Sequence, residues 1–162
     1  MLDIGCGFAD LLGYLSDEPS RKPAQYTGVD INQQLLDVGA QHFPDATFIQ
    51  ANILLDDDIP DADVVFMLGV LNFRFQDFDN LDFAHAMISR AFGMARETLV
   101  VDLLSQCRDE AYPEEDFVYY YDPAQILRFA LSLTPHVELR HDYPSIPQRE
   151  MMLVMRHAPW TS

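Results

Sequence analysis

Along the chain, short continuous apolar runs alternate with stretches in which apolar residues recur every third or fourth position, an alternation of strand and helix patterns. Residues 1–5 read as a short buried strand ending in a glycine-rich turn, and residues 8–15 as a helix that starts at once. Residues 26–30 read as a second strand. Asn32 then suits the N-cap of a helix that carries Leu35, Leu36, Gly39, Ala40 and Phe43 on one face and stops at Pro44. Residues 46–50 form a third strand pattern. Residues 63–68 are continuously apolar, as expected of a strand covered on both sides. Asp82 or a neighbour should cap a helix with Phe83, Met87, Ile88, Ala91, Phe92 and Ala95 at helical spacing, and residues 98–104 follow as a buried strand.

Asp122-Pro123 supplies a cap and a proline for the first helical position, ahead of Ile126, Leu127, Ala130 and Leu131. Residues 136–141 and 151–156 close the chain as strands around the turn-rich segment 143–148. The alternation predicts a doubly wound α/β domain: a mostly parallel sheet with helices on both faces and an antiparallel edge hairpin at the C-terminus. Residues 105–121 are the one long irregular stretch, expected to be a lid or disordered.

Length and composition narrow the function. The 162 residues suit one domain. Against 26 Asp and Glu stand 10 Lys and Arg, with Lys22 the single lysine, so the formal net charge is −16. Binding to a nucleic-acid backbone requires clustered cations, so nucleic acid is not an expected partner, and an anionic membrane is disfavoured on the same ground. The longest apolar run, residues 64–71, is far shorter than the roughly 18 residues of a membrane span. No basic-then-apolar leader opens the sequence, and Cys6 and Cys107 form neither a disulfide framework nor a metal-ligand spacing. A cytoplasmic protein without a metal site is the expectation.

The chemistry concentrates in Leu2-Asp3-Ile4-Gly5-Cys6-Gly7-Phe8-Ala9-Asp10. Glycines between a strand and a helix let backbone approach a ligand closely, although a tight packing turn needs them equally. Asp3 at the end of the first strand suits a cationic or hydroxyl-bearing ligand. Asp30, at the end of the second, can accept both hydroxyls of a ribose. Nicotinamide-cofactor proteins share that acid, but their glycine fingerprint wants Gly or Ala at its sixth position, where this chain has Asp10.

With these residues the chain resembles the seven-stranded class I methyltransferases that use S-adenosylmethionine, over nearly its whole length. Residues 2–7 are similar to their first motif, Gly28-Val29-Asp30-Ile31 to the ribose-binding second, and residues 48–53 to the adenine-proximal third. The resemblance implies that Asp3 lies near the methionine end, that Gly5, Cys6 and Gly7 line the cofactor, and that Asp30 holds the ribose. It implies also that Ile31 and Ile53 sandwich the adenine with Asn52 at its polar edge, and that Leu68 at the fourth strand's exit joins the site. Asn52 stands where many relatives carry Asp, and Ala9 where a third glycine is frequent. Helices usually precede the first strand in that family, whereas here Met1 lies one residue from its core. The expectation is one methyltransferase-like domain, residues 1–162, without those helices.

For such a domain, nucleophile and methyl carbon must be brought into line, and acceptor residues should lie at the carboxyl ends of the later strands. Asn72 is the first candidate for orienting substrate, with a turn-capping amide as its structural alternative. His141 is the candidate general base, though an extended strand turns its neighbour Asp142 to the opposite face. Tyr119, Tyr120 and Tyr121 could wall a substrate pocket, with alternation directing one or two inward; Tyr119 and Tyr121 are the candidates. His85 falls on the polar side of its helix and reads as a surface residue. Asp109, Glu110, Glu114, Glu115 and Asp116 form a solvated acidic run that could also attract a cationic amine. The expected activity is methyl transfer from S-adenosylmethionine to a small-molecule or metabolite acceptor. The alternative is a non-catalytic or degenerate methyltransferase fold acting through cofactor or protein binding.

Overall fold

The computed structural model describes residues 1–107, 114–143 and 150–159. Seven strands, β1 (Leu2–Ile4), β2 (Thr27–Asp30), β3 (Thr47–Gln50), β4 (Ala62–Met67), β5 (Ala95–Leu104), β6 (His136–Arg140) and β7 (Glu150–Arg156), form one sheet in the order β3-β2-β1-β4-β5-β7-β6. The first five pair in parallel, and β7 lies antiparallel to both β5 and β6. The expected C-terminal hairpin therefore forms, with its second strand inserted beside β5 and β6 left at the edge.

Helices α1 (Asp10–Ser16), α2 (Gln33–His42), α3 (Asn80–Met94) and α4 (Pro123–Leu133) connect the strands. Strand order runs one way from β1 and the other way from β4, so right-handed crossovers put α1 and α2 on one face and α3 and α4 on the other. The main core lies beneath α3 and α4. There Val65, Met67, Leu99, Val101, Leu103, Leu153 and Met155 meet Ala84, Ile88, Ala91, Ile126 and Ala130 in one buried cluster. A smaller cluster of Ala9, Leu12 and Tyr26 seats α1 on the opposite face.

Several boundaries differ from the sequence expectation for identifiable reasons. Helix α1 begins at Asp10 rather than near residue 8, because Gly7 and Ala9 hold positive φ values of 53° and 65° and keep the backbone out of the helical region. The cap of α3 is Asp79, whose carboxylate accepts from the amides of Leu81 and Asp82 at 2.8 and 2.9 Å, so Asp82 sits inside the first turn. Asn32 and the Asp122-Pro123 pair cap α2 and α4 as expected.

Strand β4 is not covered on both sides. Val65 and Met67 are fully buried, but Val64 and Phe66 on the other face are only half-buried, because α2 lies over β2 and β3 and does not reach β4. The irregular stretch is tied down at both described ends, by bridges of Ser105 to Tyr121 and of Phe73 to Val118. Asp109 and Glu110 of the acidic run lie outside the described residues, as do residues 144–148 of the turn-rich segment.

The β2 strand carries a glycine where two side chains converge. A Cβ at Gly28 would sit 2.7 Å from Cys6 Sγ and 3.1 Å from the Phe48 ring. Overpacking of this kind costs about 1–3 kcal/mol. Gly28→Ala should lower stability by that amount in chemical denaturation. Adding Cys6→Ala should recover part of the loss, so that the two substitutions are not additive. Additive losses would mean that the sulfur is not what crowds this position.

Candidate active site

The strand order reverses between β1 and β4, and a crevice opens there at the carboxyl ends of the strands. A cavity of about 370 Å³ occupies it, floored by Ile4 and Val29 of β1 and β2 and walled by residues from β3 and β4 exits and α3. Of the residues singled out in the sequence, Gly5, Asp30, Ile31, Asn52, Ile53 and Leu68 line this cavity. A larger concavity, about 710 Å³, lies at the opposite ends of β2 and β3 beside Lys22 and His42, away from the glycine turn.

The glycine turn is built by backbone bonds and conformation. The amides of Gly5 and Cys6 both donate to Val29 O, at 2.7 and 3.1 Å, and Ala9 N–H donates to Cys6 O at 2.8 Å. Gly5 has φ +70°, and a Cβ there would collide with Val70 Cγ2, so both conformation and contact demand glycine. Gly7 does not line the cavity; its N–H donates to Asp30 Oδ2 at 3.0 Å and fastens the turn to β2. The other oxygen of Asp30 accepts Asn32 N–H at 2.8 Å. Each carboxylate oxygen keeps a second lone pair, so two hydroxyls can still be received.

The remaining first-motif residues are placed behind the turn. Asp3, 3% exposed, is separated from the cavity, and its carboxylate accepts the Tyr26 hydroxyl at 2.7 Å. Strand alternation explains this: Asp3 points to the α1 face while Leu2 and Ile4 point to the main core. Asp3, expected near the methionine end of the cofactor, does not line this cavity, and its carboxylate is engaged by Tyr26. Burial pushes that carboxyl up to about 6, against the lowering effect of the Tyr26 bond and with a further push from Asp30. Cys6 is also buried outside the cavity lining. Desolvation, with Asp3 and Asp30 adding to it, raises its thiol to about 12, which keeps it protonated and unreactive.

At the far side, Ile31 is 70% exposed at the lip and Ile53 is buried. Asn52 Oδ1 accepts Leu54 N–H at 3.0 Å, while its own amide N–H donates to Asp56 at 2.8 Å, so this residue organises its turn as well as lining the cavity. Sequence reading missed Gly69, Val70, Phe73 and Phe75, which also line the cavity, and read Phe83 and Met87 only as the apolar face of a helix. Phe75 stacks on Phe78 at 4.4 Å and meets Phe83 edge-on at 5.0 Å. The spacing of Phe73, Phe75 and Phe78 after the fourth strand was the available signal.

The acceptor-side candidates separate. Tyr121 is 1% exposed, and its hydroxyl donates to Leu71 O at 2.9 Å, so it braces the β4 exit and cannot touch a substrate. Tyr119 packs edge-on against it at 4.8 Å and borders a recess of about 320 Å³ with Arg74, Gln106 and Glu114. His141 Nε2 lies 2.8 Å from the hydroxyl of Ser105, which is fully buried, while Asp142 bonds to Arg140. His141 is thus positioned by a serine rather than by its acidic neighbour. His85 is half-buried, stacked on Phe129 at 3.8 Å, and burial lowers its pKa; it joins α3 to α4 rather than facing solvent. Asn72 lies between Leu71 and the cavity-lining Phe73 but does not itself line the cavity, and its side-chain Oδ1 is buried without a hydrogen-bond partner.

Comparison with known proteins gives this geometry a family. Residues 2–95 match the model of the methyltransferase domain family. None of the curated proteins matches the chain. Among solved structures, the magnesium protoporphyrin IX methyltransferase of Synechocystis PCC 6803, with bound SAM, is similar over 95% of this chain and 68% of its own (TM-score 0.67, 17% identity). A TehB-like SAM-dependent methyltransferase from Corynebacterium glutamicum aligns over 96% and 78% (TM-score 0.60, 22% identity). An O-methyltransferase of neocarzinostatin biosynthesis, in complex with S-adenosyl-L-homocysteine and 1,4-dihydroxy-2-naphthoic acid, aligns over 95% and 48% (TM-score 0.68, 19% identity). At these identities the likeness is one of fold.

The raised Asp3 carboxyl has a sign that can be measured. The folded state holds a proton more tightly than the unfolded chain, from an ordinary value of 3.8 up to about 6. Stability therefore falls as pH rises through that window, by on the order of 3 kcal/mol for a shift of this size. Asp3→Asn keeps an acceptor for Tyr26 and removes the charge. It should match the native protein near pH 3.5 and exceed it in stability at pH 7. A difference that does not change between those pH values would show that Asp3 ionises normally.

Proposed function

Since the chain belongs to the methyltransferase domain family, we propose that it transfers a methyl group from S-adenosylmethionine to a small-molecule acceptor. One observation carries the cofactor reading: a cavity at the strand-order switch has an apolar body and a two-oxygen acceptor, Asp30, at the glycine turn. The residues fit an adenosyl group. Ile31 and Ile53 offer apolar faces to a purine, and Asn52 offers a polar edge. Gly5, without a Cβ, lets the chain pass close to a ligand.

S-Adenosylmethionine supplies an activated methyl on a sulfonium, so no further activation of the carbon is required of the protein. The chain's part is to position and to exclude water. Asp30 would receive the ribose hydroxyls, its carboxylate already oriented by Gly7 and Asn32. Phe73, Phe75 and Phe83 would keep the apolar end of the cavity dry. Asn72, at the β4 exit, would orient the acceptor. A small-molecule acceptor is supported by two of the similar structures, one a magnesium protoporphyrin IX methyltransferase and the other an O-methyltransferase in complex with 1,4-dihydroxy-2-naphthoic acid. No helix among the described residues is long and apolar enough to cross a membrane.

Thermal denaturation with S-adenosylhomocysteine tests the cofactor reading. At 100 times the dissociation constant the ligand should add about 2.7 kcal/mol of stability. No shift at millimolar ligand would leave the fold as a scaffold without this activity. Asp30→Ala should weaken the affinity by roughly tenfold or more in titration calorimetry, through loss of a charged acceptor for the two hydroxyls. An unchanged affinity would remove Asp30 from the ribose.

A further inference from the structure

The segment between β4 and α3 carries two rings of the cavity wall, Phe73 and Phe75. One edge of its backbone is paired as in a sheet. Asn72 O accepts Tyr119 N–H at 3.0 Å, and Arg74 N–H donates to Phe117 O at 2.9 Å, with Phe73 bridged to Val118 between them. Residues that alternate along such a ladder turn their polar groups to opposite edges, so those of Phe73 and Phe75 face the other way. There the side chain of Asn80, in the first turn of α3, receives them. Its Nδ2 donates to Phe73 O at 2.7 Å, and its Oδ1 accepts Phe75 N–H at 3.0 Å. A carboxamide holds a donor and an acceptor in one plane, as a peptide group does, so this side chain takes the place of a neighbouring strand.

We propose that Asn80 is a positioning residue for the cofactor: its carboxamide fixes Phe73 and Phe75 in the arrangement that receives the adenosyl ligand. The inference rests on the methyltransferase reading above and adds to it a residue that does not itself line the cavity. Two observations separate this role from that of an ordinary helix cap. Asp79 already caps α3, accepting the amides of Leu81 and Asp82, so the Asn80 side chain is not needed there. Asn80 is also only 4% exposed, and a carboxamide so buried is destabilising unless it is hydrogen-bonded. Both of its ends are bonded, and both bonds go to residues of the cavity wall.

The wall depends on such a fastening because its rings do not hold the backbone by themselves. Phe75 packs against Phe78 and Phe83, but Phe73 remains 58% exposed, so its place is set by its main chain. Bonds along a single edge would leave that main chain free to hinge about it. Without Asn80, the Phe73 carbonyl and the Phe75 amide lose their partner, and the segment is no longer held to one arrangement. A ligand then binds only the fraction of molecules whose wall is in place, and its apparent affinity falls by that fraction.

Calorimetric titration with S-adenosylhomocysteine tests the assignment, with stability measured separately by chemical denaturation. Asn80→Ala should weaken binding about tenfold, the effect of a wall in place in roughly one molecule in ten. Thr134→Ala is the control: it removes another buried side-chain bond, to Arg156 O at 2.7 Å beside the start of β6, and should lower stability while leaving the affinity unchanged. Asn80→Asp gives a second readout. A carboxyl buried against a carbonyl oxygen holds its proton above the ordinary range, and the protonated form again offers one donor and one acceptor. Relative to the native protein, this variant should bind within about twofold at about pH 5 and about tenfold more weakly at about pH 8. Asp79, next in the chain, and Asp3 are common to both proteins and cancel from the ratio. Should Asn80→Ala fail to fold, the Asn80→Asp ratio decides alone. Native affinity in Asn80→Ala, or an Asn80→Asp ratio that does not change with pH, would overturn the assignment and leave the cofactor reading intact. Failure of the native protein to bind S-adenosylhomocysteine at all would overturn both.

Discussion

The bond from Gly7 N–H to Asp30 Oδ2 holds the site together. It joins the loop after β1 to the tip of β2, across two strands that are adjacent only because the sheet pairs them in parallel. Three left-handed residues, Gly5, Gly7 and Ala9, make the loop that brings this amide into place. Ala9 is the one with a Cβ in that region, an uncommon state for a residue other than glycine, and it is held there inside the buried cluster with Leu12 and Tyr26. The delayed start of α1, the inward turn of Gly5 toward Val70 and the fixed aim of Asp30 are consequences of the same short loop.

Three carboxylates around this loop and its neighbour illustrate how burial sorts one side chain into different tasks. Asp30 sits at the cavity with both oxygens aimed by backbone amides. Asp3, one strand away, is buried against Tyr26, where keeping a charge is costly. Asp102 is desolvated at the β5 exit, where its Oδ1 accepts the Gly69 amide of the cavity wall. A protein with a formal charge of −16 has placed two of its acids where water cannot stabilise them. Such placement lowers stability and is a recurring feature of sites that bind cations or move protons.

Much of the fold was legible because its signals are local. The continuous apolar strands, the Asn32 cap and the Asp122-Pro123 start each follow from a few adjacent residues, and the alternation fixed a parallel sheet. What the sequence concealed depends on direction and distance. Periodicity could not tell that Asp3 points away from the crevice, nor that Val64 and Phe66 lack a covering helix. The tyrosine run showed only that some rings turn inward; the bond from Tyr121 to Leu71 O decided which one is structural. The pairing of His141 with Ser105 joins residues far apart in sequence, and no local pattern announces it. Asp102, within an apolar strand run, gave no local sign that its carboxylate would receive the Gly69 amide at the β4 exit.

The account depends most on where an adenosyl ligand lies. A crystal structure with S-adenosylhomocysteine would show this directly. The account predicts both ribose hydroxyls within hydrogen-bonding distance of the Asp30 carboxylate, the purine between Ile31 and Ile53, and the Gly7–Asp30 bond retained. A nucleoside bound outside this crevice, or an Asp30 carboxylate turned away from the sugar, would contradict it.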